Sequence, residues 1–360
     1  MEKSVITLPS QQSRVFYADV LRFIAILAVI VLHCSSDYVA QYGEIPAHTW
    51  WAGTAYNGLS RICIPIFVML SGAFLLKPGK VITMKELFGK RMMKILIPLF
   101  FWSIIYVCWQ ISNSENGWAG FNWKETLHTF YQGPVVYHLW FLYMMAGIYL
   151  IYPVINAFIG MAKDIDLKYF LIVWFIANSL LFVIDKLWGW TLGIDLNSFT
   201  GYIGYFVLGY YLNTRTYSSS QFKIFTGVCF IGLVAVVLAP WFLYHCNKAL
   251  VSEFTESDFT PDVFLVSAGL FVFVKYSLQN CHPKKWLYTI INSVSVDAFG
   301  IYLVHVLVME YIFSEERSYT SNLVEHPAWG IPAEAIIVLM VSFVIVKLIK
   351  LVPVLKRVIG

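Results

Sequence analysis

The sequence predicts an all-α integral membrane protein of about ten transmembrane helices with both termini in the cytoplasm. Three observations carry that expectation. The 360-residue chain is 59% hydrophobic and 13% charged, with a mean hydropathy of +0.69, whereas soluble globular chains carry about 25% charged residues. Apolar runs near the roughly 20 residues needed to cross a hydrocarbon core recur along the whole length, and no segment between them is long enough for a separate soluble domain. The lysines and arginines, finally, alternate between successive connections as the positive-inside rule requires.

The first run, 17–35, reads YADVLRFIAILAVIVLHCS. It follows a short polar N-terminus without an A-x-A-like cleavage site, so it is expected to stay as a signal anchor. Further spans are expected near 57–76, 94–112, 138–159, 167–184, 199–213, 222–242, 262–279, 295–313 and 331–352, together forming a single membrane-embedded domain over 1–360. The sixth is short and glycine-rich (Gly201, Gly204, Gly209). The long connection 113–137 carries Trp118 and Trp123, residues suited to a membrane–water interface. Six cysteines (34, 63, 108, 229, 246, 281) include no C-x-x-C pair and read mostly as small apolar filler.

With the N-terminus inside, 19 of the 25 lysines and arginines fall on the inner side: Lys3, Arg14, the cluster from Lys77 through Lys80 to Lys94, Lys163, Lys168, Arg215, Lys223, Lys275, Lys284, Lys285, and Lys347 to Arg357. Outer connections carry Lys124, Lys186, Lys248 and Arg317, beside the acids Glu253, Glu256, Asp258, Glu315 and Glu316. Arg22 and Arg61 lie within spans.

Ionisable residues inside a span are costly and usually face a protein interior or a watery cavity. The 11-residue step from Arg22 to His33 turns through three full helical turns with about 20° to spare. Asp19 is one turn earlier, so all three share a stripe, and the opposite face (Phe23, Leu27, Ile30) is expected to meet lipid. Along the axis Arg22 and His33 are roughly 16 Å apart, serving two ends of one polar tract. Arg61 is expected at the depth of His33 and Ser71 nearer the inner side. His305 is expected mid-span in the ninth helix, with Asp297 near its inner end and Glu310 near its outer end; Glu334 opens the tenth. Each has a plainer reading. His33 and His305 can be histidines satisfied by a carbonyl, Arg22 a partner for Asp19, and Arg61 a snorkelling arginine. Ser71-Gly72 can serve close helix packing, and Glu310 and Glu334 can be solvated helix-end charges. No metal-ligand spacing, nucleophile elbow, P-loop or nucleic-acid patch is present.

At Arg22-x10-His33 the chain resembles acyltransferase family three, the multi-span membrane acyltransferases of bacterial envelopes. SRICIPIFVMLSGAFLL (60–76) resembles that family's second helix. YHLWFLYMMAGIYLIYP (137–153), GYFVLGYYL (204–212) and FGIYLVH (299–305) resemble later elements in the family's order, and the likeness is greatest to short, single-domain O-acetyltransferase members. The resemblance implies acyl transfer, commonly acetyl from acetyl-CoA as co-substrate, onto a hydroxyl of a glycan or lipid-linked sugar, in the bacterial inner membrane. It implies essential roles for Arg22 and His33, and more loosely for Arg61, since many members carry a basic pair there. Many members also end in an acid-containing element that the tail LIKLVPVLKRVIG lacks.

Residues and resemblance together lead to a scheme. Arg22, Ser71, Lys85, Lys90, Arg91 and Lys94 hold the coenzyme, because ionic attraction persists at a membrane surface. His33 acts as general base or transient acyl carrier. Asp37, at i+4, orients it, with Glu310 an alternative acid by depth; Arg61 stabilises the oxyanion or grips the acceptor. Trp140 and His305 contact the acceptor, Asp19 supports Arg22, and no metal takes part. The expected partners are the glycan and the bilayer, with a homo-oligomer open and nucleic acid excluded. Rival readings are a transporter or flippase, the same fold with another acyl-CoA such as succinyl-CoA, and a non-catalytic scaffold.

Overall fold

The structure is a computed structural model that describes residues 15–360 apart from 80–82, 116, 193–200, 247–249, 279–280, 282 and 314–325. Lys3, Arg14, Lys80, Lys248, Glu315, Glu316 and Arg317, and the side chain of Cys246, lie outside the described residues. In chain order the helices are α1 (Phe16–Ala40), α2 (Ala47–Ser60), α3 (Cys63–Leu75), α4 (Met84–Asn113, with a π-helical stretch Leu87–Met92), α5 (Trp123–Gln132), α6 (Trp140–Met161), α7 (Asp164–Trp188, with a π-helical stretch Ile176–Leu180), α8 (Gly201–Thr214), α9 (Ser219–Cys246), α10 (Leu250–Thr255), α11 (Pro261–Leu278), α12 (Lys285–Phe313) and α13 (Pro327–Leu351). No strand occurs among the described residues.

Nine segments among the described residues are long and apolar enough to cross a membrane, with α2 and α3 counted as one. The sixth expected span, α8, has 14 residues, about 21 Å at helical rise. It is buried along most of its length, from Gly204 to Leu212, so it has no need to match the lipid thickness alone. Its start lies beside Asp258 through Tyr202, and its end reaches Ala73 and Tyr17 through Asn213, so it runs parallel to α3 across the bundle. Glycines permit that approach: a Cβ on Gly72 or Gly209 would run into the facing backbone of Phe206 or Met69. Small residues at such crossings are the usual device of membrane helices.

α1 is the hub. It packs against α2, α3, α11, α12 and α13, and Leu21, Ala25, Ile26 and Ile30 are fully buried. The expected lipid face is narrower than its pattern suggests: Ile30 is sealed, while Phe23 and Leu27 stay half-buried beside Val20, Ile24 and Val31. Neighbours on most sides leave a central helix only a thin stripe for lipid.

The expected second helix, 57–76, starts ten residues earlier and breaks at Arg61-Ile62. Pro65 explains the break. It offers no N–H to the Arg61 carbonyl, but it is tolerated in the first turn of a new helix, which α3 supplies. Arg61 thus sits at a helix end with its side chain free to turn inward.

On the opposite side of the bundle from His33, Asp297 of α12 is fully buried between two lysines of α13: Lys347 Nζ is 2.7 Å from Oδ2, and Lys350 bonds the other oxygen. A buried carboxylate persists only with such partners. Of the cysteines described, Cys63 and Cys229 are buried and Cys281 is exposed, so Cys281 is not filler.

Candidate active site

Two cavities open along the α1 stripe, one at each of its charged ends. The first, of about 510 Å³, is lined by His33, Asp37, Asn57, Arg61, Tyr137 and His138, with Trp140, Glu256, Asp258 and Tyr302 completing its wall. A second, of about 310 Å³, is lined by Arg22, Ser71, Lys94, Tyr149 and Ser295, with apolar walls from Phe67, Leu142, Met145 and Phe299. Ile64, Phe141 and Tyr302 line both, so they form the partition between them. One helix thus delivers Arg22 to one chamber and His33 to the other, roughly 16 Å apart along its axis.

His33 is half-buried and lies among rings. Its centroid is 5.3 Å from that of His305 and 5.1 Å from that of Tyr137. His138 lies beyond, 5.4 Å from His305. The His305 ring is fixed from behind: Nδ1 is 2.6 Å from the Tyr302 carbonyl oxygen. Its Nε2, and both ring nitrogens of His138, are buried with no hydrogen-bond partner in the protein. Buried polar atoms are normally paired, and three that are not cluster here as imidazole nitrogens beside one histidine. Among the described residues no three His, Cys, Asp or Glu side chains are grouped to hold a metal ion.

Arg61 does not snorkel. Its Nε and Nη2 donate to Asn57 Oδ1 at 3.2 and 3.0 Å, and Nη1 donates to the Glu256 carbonyl at 2.8 Å. Asn57 in turn donates to the Leu32 carbonyl and to Ser35 Oγ of α1, locking the guanidinium at the depth of His33. Asp258, in the turn before α11, accepts a 2.7 Å bond from Tyr202. Burial raises its carboxyl above the ordinary carboxylate range, and the nearby Arg61 charge and the Tyr202 hydroxyl partly offset this.

In the second chamber Arg22 Nη1 is 3.1 Å from Asp19 Oδ1, which also accepts from Ser295 at 2.7 Å. The guanidinium lies 5.5 Å from the ring centre of Phe74. Asp19 therefore supports Arg22. Ser71 returns its hydroxyl to the Phe67 carbonyl while lining the chamber, so it serves both packing and wall.

Several expected residues are not brought to His33 or to the second chamber. Glu310 is exposed and accepts from Trp109 Nε1 at 2.8 Å, outside the cavity, because five residues on from His305 the helix has turned it toward α4. Asp37 lines the His33 cavity from its exposed rim without bonding to the imidazole. Lys85 and Lys90 are exposed in the first turns of α4 and line neither chamber, while Arg91 pairs with Glu86 at 3.5 Å. Trp140 and His305 do belong to the His33 region, with Trp140 in the wall and His305 behind it. Residue reasoning passed over His138, Asn57 and Tyr302, and took Asp258 only as a loop acid. The Y-H before the L-W-F run was the one legible signal for His138.

Bundle and site together define a polytopic membrane protein with two chambers that share one wall, a histidine cluster beside the larger of them, an arrangement suited to group transfer inside the bilayer. The profile of an acyltransferase domain matches residues 15–349, and the chain belongs to acyltransferase family three. No curated protein and no solved structure gave a match to the chain.

Proposed function

We propose that this membrane acyltransferase moves an acetyl group from cytoplasmic acetyl-CoA to a hydroxyl of an envelope glycan, or of its lipid-linked precursor, across the bacterial inner membrane. The observation that carries the reading is the pair of chambers sharing one partition, with Arg22 in one and His33 in the other. The inner-face lysines and arginines, Lys94 and Arg91 nearest the Arg22 chamber, attract the nucleotide phosphates. A pantetheine arm is of the right order to cover the roughly 16 Å from Arg22 to His33. The slim, largely apolar Arg22 chamber suits such an arm, while the wider cavity with Trp140, Asn57 and three acids suits a hydroxyl-rich acceptor.

At the partition His33 takes the acceptor's hydroxyl proton, the oxygen attacks the thioester carbonyl, the C–S bond breaks, and the coenzyme thiolate takes the proton back from His33. Arg61, held by Asn57 and the Glu256 carbonyl, lies at the depth where oxyanion charge develops.

Purified protein in detergent with radiolabelled acetyl-CoA and a glycan acceptor tests the reading, since transfer without two compartments excludes pure transport. Competition by succinyl-CoA reports donor choice. Label that stays on the denatured protein through gel filtration, and is lost in His33→Ala, makes His33 an acyl carrier instead of a base. Absence of transfer, with accumulation of substrate in vesicles, overturns the reading in favour of a transporter.

A further inference from the structure

Neither Asp37 nor Glu310 bonds to His33. Chemistry behind the ring supplies another candidate. The Tyr302 carbonyl can only accept, so the His305 nitrogen 2.6 Å from it carries the proton. In a neutral ring the other nitrogen, Nε2, is then an acceptor, and it is buried without a partner. Two imidazoles flank the His305 ring, His33 with centroids 5.3 Å apart and a 32° tilt and His138 at 5.4 Å and 79°; of the two, His138 is fully buried and His33 half-buried beside open space. An imidazole nitrogen lies about 1.1 Å from its ring centre, so centroids at that spacing allow facing nitrogens to meet at about 3 Å, hydrogen-bond length. His33 borders a 510 Å³ cavity, which leaves its ring room for the small rotation required, whereas His305 is fully buried and pinned.

We propose that His305 is the positioning residue for His33: its Nε2 accepts the one N–H of neutral His33, so that the other His33 nitrogen keeps its lone pair and points into the cavity. When His33 takes a proton, the same bond holds the imidazolium. The Tyr302 carbonyl, His305 and His33 thus form a relay in the order of a carboxylate–histidine pair, with a histidine in the carboxylate's place. The titratable and charged groups facing it are Arg61, Tyr106, Tyr137, His138 and Tyr302. The inference deepens the acyl-transfer reading and rests on it only for the consequence in turnover.

The test therefore reads His33 directly. Intact protein in detergent is treated with diethyl pyrocarbonate, and carbethoxylation of the His33 peptide is timed by mass spectrometry across pH. In His305→Asn, which keeps the donor to Tyr302 but has no atom at Nε2, the rate at His33 is expected to fall by about 10- to 100-fold. In His305→Gln, whose amide oxygen reaches the Nε2 position, it is expected to recover most of the loss, and kcat for acetyl transfer follows with KM little changed. An unchanged rate in His305→Asn, or no recovery in a folded His305→Gln, overturns the proposal. Should either variant misfold, 15N-histidine spectra of the wild-type protein decide: a Nδ1–H tautomer at His305 with an N–H···N coupling to His33 supports the relay, and two uncoupled rings overturn it. Wild-type protein that shows the His305 dependence but transfers no acetyl group leaves the relay standing and removes the acyl-transfer reading alone.

Discussion

Arg22 and His33 share one stripe of α1, yet their surroundings differ in what is left unpaired. Around Arg22 one charge pair dominates: Asp19 Oδ1 accepts from the guanidinium and from Ser295 while its Oδ2 is buried without a hydrogen bond, and Ser71, Lys94 and Tyr149 join aromatic and aliphatic walls. Around His33 the fixed groups point away from the imidazole toward backbone or each other, as Arg61 does toward Asn57, and three buried imidazole nitrogens are open. A paired charge in the smaller chamber suits holding a ligand in place, and unpaired imidazole nitrogens in the larger one suit proton exchange. The contrast follows from desolvation, because a buried charge without a partner is costly, whereas a neutral imidazole costs far less to leave open.

The largest effect is expected where the unpaired end is removed. His33→Ala should lower acetyl transfer by about 10³-fold or more, with an unchanged gel-filtration profile, since its ring borders the cavity. Full activity in a folded His33→Ala protein breaks the contrast outright. Next is the partition. Phe141→Trp should narrow the passage between chambers and cost on the order of 10²-fold in kcat by misplacing the thioester, while acetyl-CoA still binds, as isothermal titration reports. If binding is lost together with turnover, Phe141 is part of a binding wall and not a gate.

The paired end should respond differently. Arg22→Gln removes the charge beside the Asp19 carboxylate, which is 1% exposed and keeps its bond from Ser295; because the guanidinium is about one-third exposed, the expected cost is about 1–3 kcal/mol. The double variant Asp19→Asn/Arg22→Gln removes both charges, so unfolding in detergent should return most of the way to wild type while KM for acetyl-CoA stays raised. Recovery of both would make Arg22 purely structural.

How much of this was legible in the sequence differs along the chain. Apolar runs located the spans, although the helices expected at 57–76, 94–112 and 295–313 begin ten residues earlier, at Ala47, Met84 and Lys285, and the 11-residue spacing placed Arg22 and His33 on one stripe. Only part of the lipid face of α1 was legible, Ile30 being sealed, because periodicity records which residues are polar and not how many neighbours a helix has. The break at Arg61 was written in Pro65 but masked by the continuous apolar run around it. His138 and Asp258 reach the cavity from a short 3₁₀ turn and a loop, where no helical period carries information. Glu310 had the right depth and the wrong azimuth; only packing against Trp109 reveals that.

The smallest expected effect isolates Asp258, the acid that burial disfavours. Its carboxyl is raised above the ordinary value in the folded protein, so ionising it costs stability. That penalty is absent below the unfolded pKa of about 3.9, grows as pH rises through the folded value, and is constant above it. Asp258→Asn keeps an oxygen to accept from Tyr202 and carries no charge. The variant should therefore unfold about 1–2 °C higher than wild type at pH 8, equivalent to roughly 1 kcal/mol or less, and the gain should shrink toward pH 4. Loss of stability at pH 8 would mean instead that the Arg61 charge depends on an ionised Asp258. The His33 chamber would then be held by a charge pair, as the Arg22 chamber is, and the difference between the two ends of α1 would narrow to the imidazoles alone.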